Sequence, residues 1–360
     1  MTSKERFLKT INRETPDRPA LYLSFVPQLA EKLYAHYDMP YQPALDAFLS
    51  NHVSWTDLLD KMGVDCMCFA ASSPDNNKTR VEPDGLIVNE WRIGMRNHGL
   101  YDDFAVHPLA HAQSVEDIEN FPFPRADAPG RFRDAELTVA KYGEKYGIIG
   151  DLECSIFELA WYLTGLEKFL MDMMIEEPYV EVLLDKITDY HIAVGKRLIE
   201  MGSEMIWCGD DYGTQRGPLF DLDTFDRLFA PRIARMFSAF KEMNPNVKVA
   251  WHSCGSILPL IPRFIELGLD VLNPIQPLAD GMNPQYLKDN FGDKLIFFGG
   301  ICIQDLLPNS TPEQIKAEVR RRADILANDG NGWLIAPAHN IQSDTSVENI
   351  FAFIEAVHEL

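Results

Sequence analysis

Three residues of this chain have the types and spacing to hold a metal ion. His252 and Cys254 stand two apart in Trp251-His252-Ser253-Cys254-Gly255, and His339 lies far downstream in Pro337-Ala338-His339-Asn340. In extended backbone, residues i and i+2 point the same way, so an imidazole and a thiolate can meet one ion. Zinc favours such nitrogen and sulfur donors, and a catalytic zinc takes about three protein ligands with one position open. The same spacing also fits a hydrogen-bonded histidine beside a small buried cysteine. Carboxylates come next: Glu153 and the pair Asp210-Asp211 suit ligation or proton transfer, or stand as solvated loop acids. Gln276, Asn340 and Gln342 offer hydrogen bonds either to a substrate or to their own turns. Cys66-x-Cys68 repeats the local geometry inside an apolar run and is expected in the core.

The elements that would position these groups form a repeating unit of short β-branched or aromatic runs and longer amphipathic ones. Strands are expected at 20–24, 65–69, 147–150, 205–208, 248–252, 270–272, 295–299 and 333–336. Helices are expected at 155–164, 177–202, 223–243, 257–267, 312–328 and 346–358. Such alternation implies parallel strands joined by right-handed crossovers, and eight units suggest a closed α/β barrel of the (β/α)8 type. A doubly wound open sheet satisfies the same alternation. In a parallel barrel the chemistry sits where strands end, which is where Glu153, Asp211, His252, Gln276 and His339 fall. Before this regular part, Phe7, Leu8 and Ile11 mark an opening helix stopped at Thr15-Pro16-Asp17. Residues 26–62 read as helical and irregular by turns, 85–97 as a strand pair, and 121–124 as a Pro-rich surface connection. No linker, repeat or low-complexity stretch divides the chain, so residues 1–360 are expected as one barrel domain, with 1–60 packed on it as helices.

Composition narrows the classes. The 360 residues carry 33 Lys+Arg against 54 Asp+Glu, a net charge of −21, which disfavours non-specific nucleic-acid binding and docking to an anionic membrane. No apolar run is long enough for a membrane span, and the charged start is not a signal-peptide core. Six cysteines are too few for a disulfide scaffold, so reduced thiols in a cytoplasm are expected. Neither a Gly-rich dinucleotide fingerprint nor a Walker loop nor a Gly-x-Ser-x-Gly elbow is present.

Four separated blocks carry a resemblance: "MTSKERFLKTINRETPDRPALYL", "GDDYGTQRGPLFDLDTFDRLFAPR", "WHSCGSILPLIPRFIELGLDVLNPIQP" and "IAPAHNIQ". Together they resemble the uroporphyrinogen decarboxylase superfamily along nearly the whole length. The resemblance implies a single (β/α)8 barrel and one of two activities, cofactor-free porphyrinogen decarboxylation or zinc-dependent methyl transfer with a corrinoid (cobalamin) protein. A decarboxylase of that family uses an Arg-rich N-terminal stretch for its octacarboxylate substrate. Here Arg18-Pro19-Ala20-Leu21-Tyr22-Leu23-Ser24-Phe25 offers one Arg, and the family's catalytic Asp falls near Asp65 without basic surroundings.

The methyltransferase branch uses His-x-Cys with a distant Cys near the last strand. His252 and Cys254 match that pattern, and His339 stands where the second Cys would be. Zinc held by one thiolate and two imidazoles keeps a net +1 charge, so a stronger Lewis acid is expected, one that polarises an ether oxygen or similar leaving group. The expected enzyme is therefore a demethylase-type methyltransferase moving a methyl group between a small methylated substrate and a corrinoid protein. Zinc would sit on His252, Cys254 and His339, and Asp211 or Glu153 would be fourth ligand or proton donor. Gln276, Asn340 and Gln342 would orient the substrate. A porphyrinogen-type decarboxylase and a non-catalytic small-ligand-binding barrel are the alternatives.

Overall fold

The computed structural model describes residues 1–47, 50–99, 102–329 and 332–360. Its strands are β1 Cys66–Phe69, β2 Arg80–Val81, β3 Ile87–Val88, β4 Gly94–Asn97, β5 Asp102–Val106, β6 Gly147–Glu153, β7 Met205–Gly209, β8 Lys248–His252, β9 Val271–Ile275, β10 Ile296–Ile301 and β11 Trp333–Pro337. Among the described residues, β1 and β6 to β11 build a seven-stranded sheet in the order β1-β6-β7-β8-β9-β10-β11, every pair parallel. Helices cross between successive strands, among them Pro178–Glu200, Ala230–Met243 and Pro312–Leu326.

The strand sequences explain why they are buried on both faces. Alternate residues feed two cores. Cys66, Cys68, Ile149, Met205, Trp207, Ala250, Val271, Phe298 and Leu334 cluster inside the curl of the sheet. Their neighbours Met67, Ile148, Ile206, Val249, Trp251, Leu272, Phe297 and Ile335 pack outward against the helices. Strands covered on both sides read as continuous apolar runs, which is what 147–150 and 333–336 show in sequence. The expected core placement of Cys66 and Cys68 follows from the same alternation.

The eighth strand, expected at 20–24, departs from regularity. Residues 20–25 run beside β11, bridged from Leu21 to Ile335 and from Phe25 to Ile341, and reach the β1 side through Asp65, without forming a continuous strand among the described residues. Tyr22 N–H donates to the Ile335 carbonyl at 2.8 Å, and Asp65 N–H donates to that of Leu21 at 2.9 Å. The reason the ladder does not propagate is visible at Leu21, whose own N–H donates to the Asp65 carboxylate at 2.8 Å instead of a strand carbonyl. The described architecture is thus a curled seven-stranded parallel sheet wrapped by helices. The strand pair expected at 85–97 is also larger than anticipated: β2 to β5 form a four-stranded antiparallel sheet.

Of the first 60 residues, Ser3–Ile11 and Pro27–His36 are helical and a helix Thr56–Met62 begins at their end, but 37–47 and 50–55 carry no helix. The reading of Asp65 needs correction. It precedes the first residue of β1, at the opposite end of the sheet from the strand-end residues, and basic groups do surround it. Its carboxylate, fully buried, meets Arg6 Nη1 at 2.6 Å and Arg18 Nη1 at 2.7 Å. The partners were hidden because Arg6 is 59 residues away in the chain. This knot ties the opening helix to β1 and serves the fold. Truncating one member of a buried pair strands the others, so Asp65→Ala is expected to lower stability by about 3–5 kcal/mol, read from the midpoint of chemical denaturation.

Candidate metal centre

β8 delivers His252 at its C-terminal end. Extended pairing continues for one more residue, because Ser253 N–H donates to the Asn273 carbonyl at 2.8 Å. Cys254 then turns back, its N–H held by Asp211 Oδ1 at 2.7 Å. The turn is closed by Gly255 at φ +83°, where an added Cβ would stand 2.6 Å from the carbonyl oxygens of Gly213 and Thr214. Only glycine tolerates both the conformation and the approach. Gly255 N–H in turn donates to Gln276 Oε1 at 2.7 Å. On the other side Gly209, the last residue of β7, lies so close that a Cβ would come within 2.4 Å of that of His252. Gly209→Ala is accordingly expected to displace His252, which metal affinity would report.

The His252 ring is oriented from both ends. Its Nδ1 is 2.6 Å from Asn273 Oδ1, an acceptor, so Nδ1 carries the proton and Nε2 faces inward. Nε2 lies 3.4 Å from Cys254 Sγ and 3.3 Å from Asp211 Oδ1. The His339 ring approaches edge-on, with centroids 5.7 Å apart, and the ligand atoms of His252, Cys254 and His339 all fall within 4.8 Å of one another. Donors ~2.0–2.3 Å from a tetrahedral zinc stand roughly 3.3–3.6 Å apart, so the His252–Cys254 and His252–Asp211 separations fit one ion. The amide behind His252 is the outer partner that zinc-binding imidazoles commonly have.

Electrostatics suit a cation at this position. Burial pushes the Asp211 carboxyl up, but the His252 imidazole and the Cys254 N–H outweigh it and bring it down to about 2. Burial works against a charged His252, yet Asp211 and Asn273 raise it. His252 Nε2 and Asp211 thus attract each other across the 3.3 Å that separates them. His339 lies deep in the fold while open to solvent through the cavity, and desolvation with His252 beside it lowers it to about 4, leaving a neutral donor. Desolvation, then Asp211, holds the Cys254 thiol well above its usual range.

His252, His339 and Asp211 line one wall of a cavity of about 400 Å3. Glu153, Glu158 and Tyr162 line the same cavity. Burial, then Asp151, raises Glu153 well above the usual carboxyl range; burial, then Asp211, does so for Glu158. Tyr162 donates to Glu158 Oε1 at 2.7 Å, and Asp211 N–H donates to its other oxygen at 3.1 Å. Asp210 has a different task from its neighbour. Fully buried, it accepts from the N–H groups of Ile156 and Glu158 at 2.9–3.1 Å, capping the helix Phe157–Thr164 that carries Glu158.

Asn340 also lines this cavity, with its Oδ1 shielded from solvent and making no hydrogen bond. Gln276 lies instead in a neighbouring cavity of about 210 Å3 that shares Cys254 and His339. Gln342 lines neither and donates to the Asn340 carbonyl at 2.9 Å, a turn contact. Sequence reasoning missed Glu158, Tyr162 and the 45–52 segment, which supplies Leu45, Asp46, Ser50 and Asn51 to the cavity. Glu158 and Tyr162 stand four apart, one turn of helix, and were legible as a facing pair once the strand end at Glu153 was set. Nothing local marked the 45–52 segment.

The sheet and the strand-end cluster define a parallel α/β fold with a polar site at the strand C-termini. The sequence profile described as "Uroporphyrinogen decarboxylase (URO-D)" matches residues 103–360, and the chain belongs to that family. It is 24% identical over 204 residues to a methylated-thiol–coenzyme M methyltransferase of Methanosarcina mazei, covering 56% of this chain and 51% of that protein. It is 22% identical over 220 residues to a methylcobamide:CoM methyltransferase of the same organism, 61% of each. The chain thus spans about half to three-fifths of the length of these curated relatives. Uroporphyrinogen decarboxylases match as well, at 26–28% identity. Among solved structures, a methyltransferase from Methanosarcina mazei superposes with a TM-score of 0.74 at 18% identity, over 100% of this chain and 99% of that one, a likeness of fold. No helix among the described residues is long and apolar enough to cross a membrane.

Proposed function

We propose that this chain is a zinc-dependent, demethylase-type methyltransferase that moves a methyl group between a small methylated substrate and a corrinoid protein. The observation that carries the reading is the convergence of His252, Cys254 and His339 at the strand ends, where His252 and His339 line the 400 Å3 cavity and Cys254 and His339 line its neighbour of about 210 Å3. In this reading the seven strands and residues 20–25 make up a (β/α)8 barrel, 1–360 is one domain, and the protein works in the cytoplasm. Limited proteolysis should accordingly yield no pair of stable, separately folding fragments.

His252, Cys254 and His339 would hold the zinc, with Asp211 next to the open position. When bound, zinc with this donor set would supply Lewis-acid polarisation of the atom that leaves the methyl group. The chain's own residues do the rest. Asn273 keeps His252 in the tautomer that presents Nε2. Gln276 clamps the turn that carries Cys254, a positioning task in place of the substrate contact expected from sequence. Glu153 and Glu158, whose carboxyls burial pushes well above the usual range, can donate a proton to a departing oxyanion, and Tyr162 keeps Glu158 aimed. Asn340 has an unused acceptor for a substrate donor. The stacked Phe104–Tyr162 pair, whose rings are 4.2 Å apart, gives the cavity an aromatic surface for an apolar part of the substrate.

The decarboxylase reading fares worse on charge. The residues lining the large cavity include six carboxylates and neither Arg nor Lys. A substrate with eight carboxylates would meet like charge without a counter-ion. The deciding experiment supplies a purified corrinoid protein held in the Co(I) state and a methoxylated small molecule. Methylated corrinoid and the demethylated product are expected only when all three components are present. Decarboxylation of uroporphyrinogen by zinc-free protein would overturn the reading.

A further inference from the structure

We propose that His52, Asp151 and Glu153 form a second divalent-cation site beside the first, suited to Mn2+ or another ion that accepts oxygen with nitrogen. The three side chains come from distant parts of the chain. Asp151 and Glu153 sit two apart on β6 and so project to one side, and His52 arrives from the irregular segment after Pro27–His36. His52 Nδ1 stands 3.5 Å from Asp151 Oδ2 and 3.3 Å from Glu153 Oε2. Ligand atoms of all three lie within 4.8 Å of one another. Two donors each ~2.1 Å from a tetrahedral ion are separated by roughly 3.4 Å, so the spacing is that of a coordination shell.

The second observation concerns the imidazole. His52 is only 5% exposed, and its Nδ1, shielded from solvent, makes no hydrogen bond of acceptable geometry among the described residues. Its ring cannot turn to improve matters, because it lies flat on Trp207 with centroids 4.5 Å apart and planes 2° apart. A buried nitrogen aimed between two carboxylates without a hydrogen bond is costly unless something sits in the gap. The carboxylates are themselves preset. Ser50 Oγ donates to Asp151 Oδ2 at 2.5 Å, and Glu153 N–H donates to Asp151 Oδ1 at 3.1 Å.

Charge leads the same way. Arg131, which shares a small cavity of about 30 Å3 with Asp151 and Glu153, is committed to Glu90 through contacts of 2.6 and 2.7 Å. The His252 centre has its own anions in Cys254 and Asp211. Two carboxylates and one imidazole neutralise a divalent ion fully, and this harder donor set favours manganese more than the thiolate site does. Ser50 and Glu153 both line the 400 Å3 cavity, which gives the ion a path in and its open positions a view of the substrate space. This site shares Glu153 with the methyltransferase reading: an ion here takes the Glu153 carboxylate in place of its proton and leaves Glu158 as the proton donor.

The test is Mn2+ binding to the full chain already loaded with one equivalent of zinc, followed by the loss of the free-ion electron paramagnetic resonance signal. One further equivalent should bind to the parent protein. His52→Ala and Asp151→Asn should abolish that binding, and Glu153→Gln, which removes a charge with little change of shape, should weaken it at least ~10-fold. Cys254→Ser, dialysed and titrated with no zinc added, should keep one Mn2+ per chain, which separates this site from the zinc centre. If His52→Ala unfolds by circular dichroism, the Glu153→Gln result decides. The proposal is overturned if the zinc-loaded parent takes up no Mn2+, as expected if His52 merely packs beside both acids, or if these variants bind it equally well.

Discussion

Cys254→Ser is expected to empty the centre of zinc while the protein stays folded. The thiolate is the single anion among His252, Cys254 and His339, and losing an outer partner of a zinc ligand already costs about 10–100-fold in affinity. Removing the thiolate itself should cost at least ~10²-fold, seen as sub-stoichiometric zinc after dialysis. The fold should survive because Cys254 lies beyond the end of β8 and not in either apolar cluster of the sheet. Proton release gives a second readout. Desolvation keeps the Cys254 thiol protonated in the metal-free protein, and Asp211 keeps His252 charged to a higher pH than usual. Zinc must displace those protons, so its apparent affinity should rise with pH and level off once both groups have lost theirs. Calorimetric titration in two buffers of different ionisation enthalpy counts the protons released, and Cys254→Ser should release fewer. Zinc content and proton release unchanged in that variant would remove Cys254 from the centre.

His339→Cys is expected to preserve zinc and slow the reaction. The parent donor set leaves a net +1 on the ion, and a second thiolate cancels it. If that charge stabilises the departing oxyanion, the loss resembles removal of one preorganised electrostatic contact, roughly 10²-fold or more in rate. Single-turnover methylation of Co(I) corrinoid separates this from a binding defect, because substrate affinity should change little. Full zinc with an undiminished rate would sink the leaving-group role while leaving the metal site intact. The opposite outcome, zinc lost from His339→Cys, would indicate that the site is shaped around an imidazole at this position.

The cluster of His252, Cys254 and His339 was legible in sequence because two of its members are local and the third falls at a strand end. A period-2 argument is enough to bring His252 and Cys254 to one side, and strand-end position is enough to bring His339 to the same rim. The regular half of the chain was equally legible: apolar runs such as 147–150 and 333–336 became β6 and β11 because strands covered on both faces cannot afford polar residues. The resemblance carried the family, which the match over residues 103–360 bears out.

What the sequence left open were the pairings made across distance. Asp65 looked isolated and is gripped by Arg6 and Arg18, because a buried charge is satisfied by whichever cation the packing brings near. Residues 20–24 had the composition of a strand, yet Asp65 takes the Leu21 N–H and leaves only bridges. Asp210 and Asp211 were indistinguishable as neighbours. Opposite directions along the backbone send one to cap a helix and the other to His252. His52 carried no local signal at all, since an imidazole in an irregular segment acquires meaning only from what it faces. Residue type and period determined which strand ends bear donors, and the chain's long-range packing alone decided which acids, cations and imidazoles meet there, because contact energies depend on distance in space and sequence spacing reports it only within a turn or a strand.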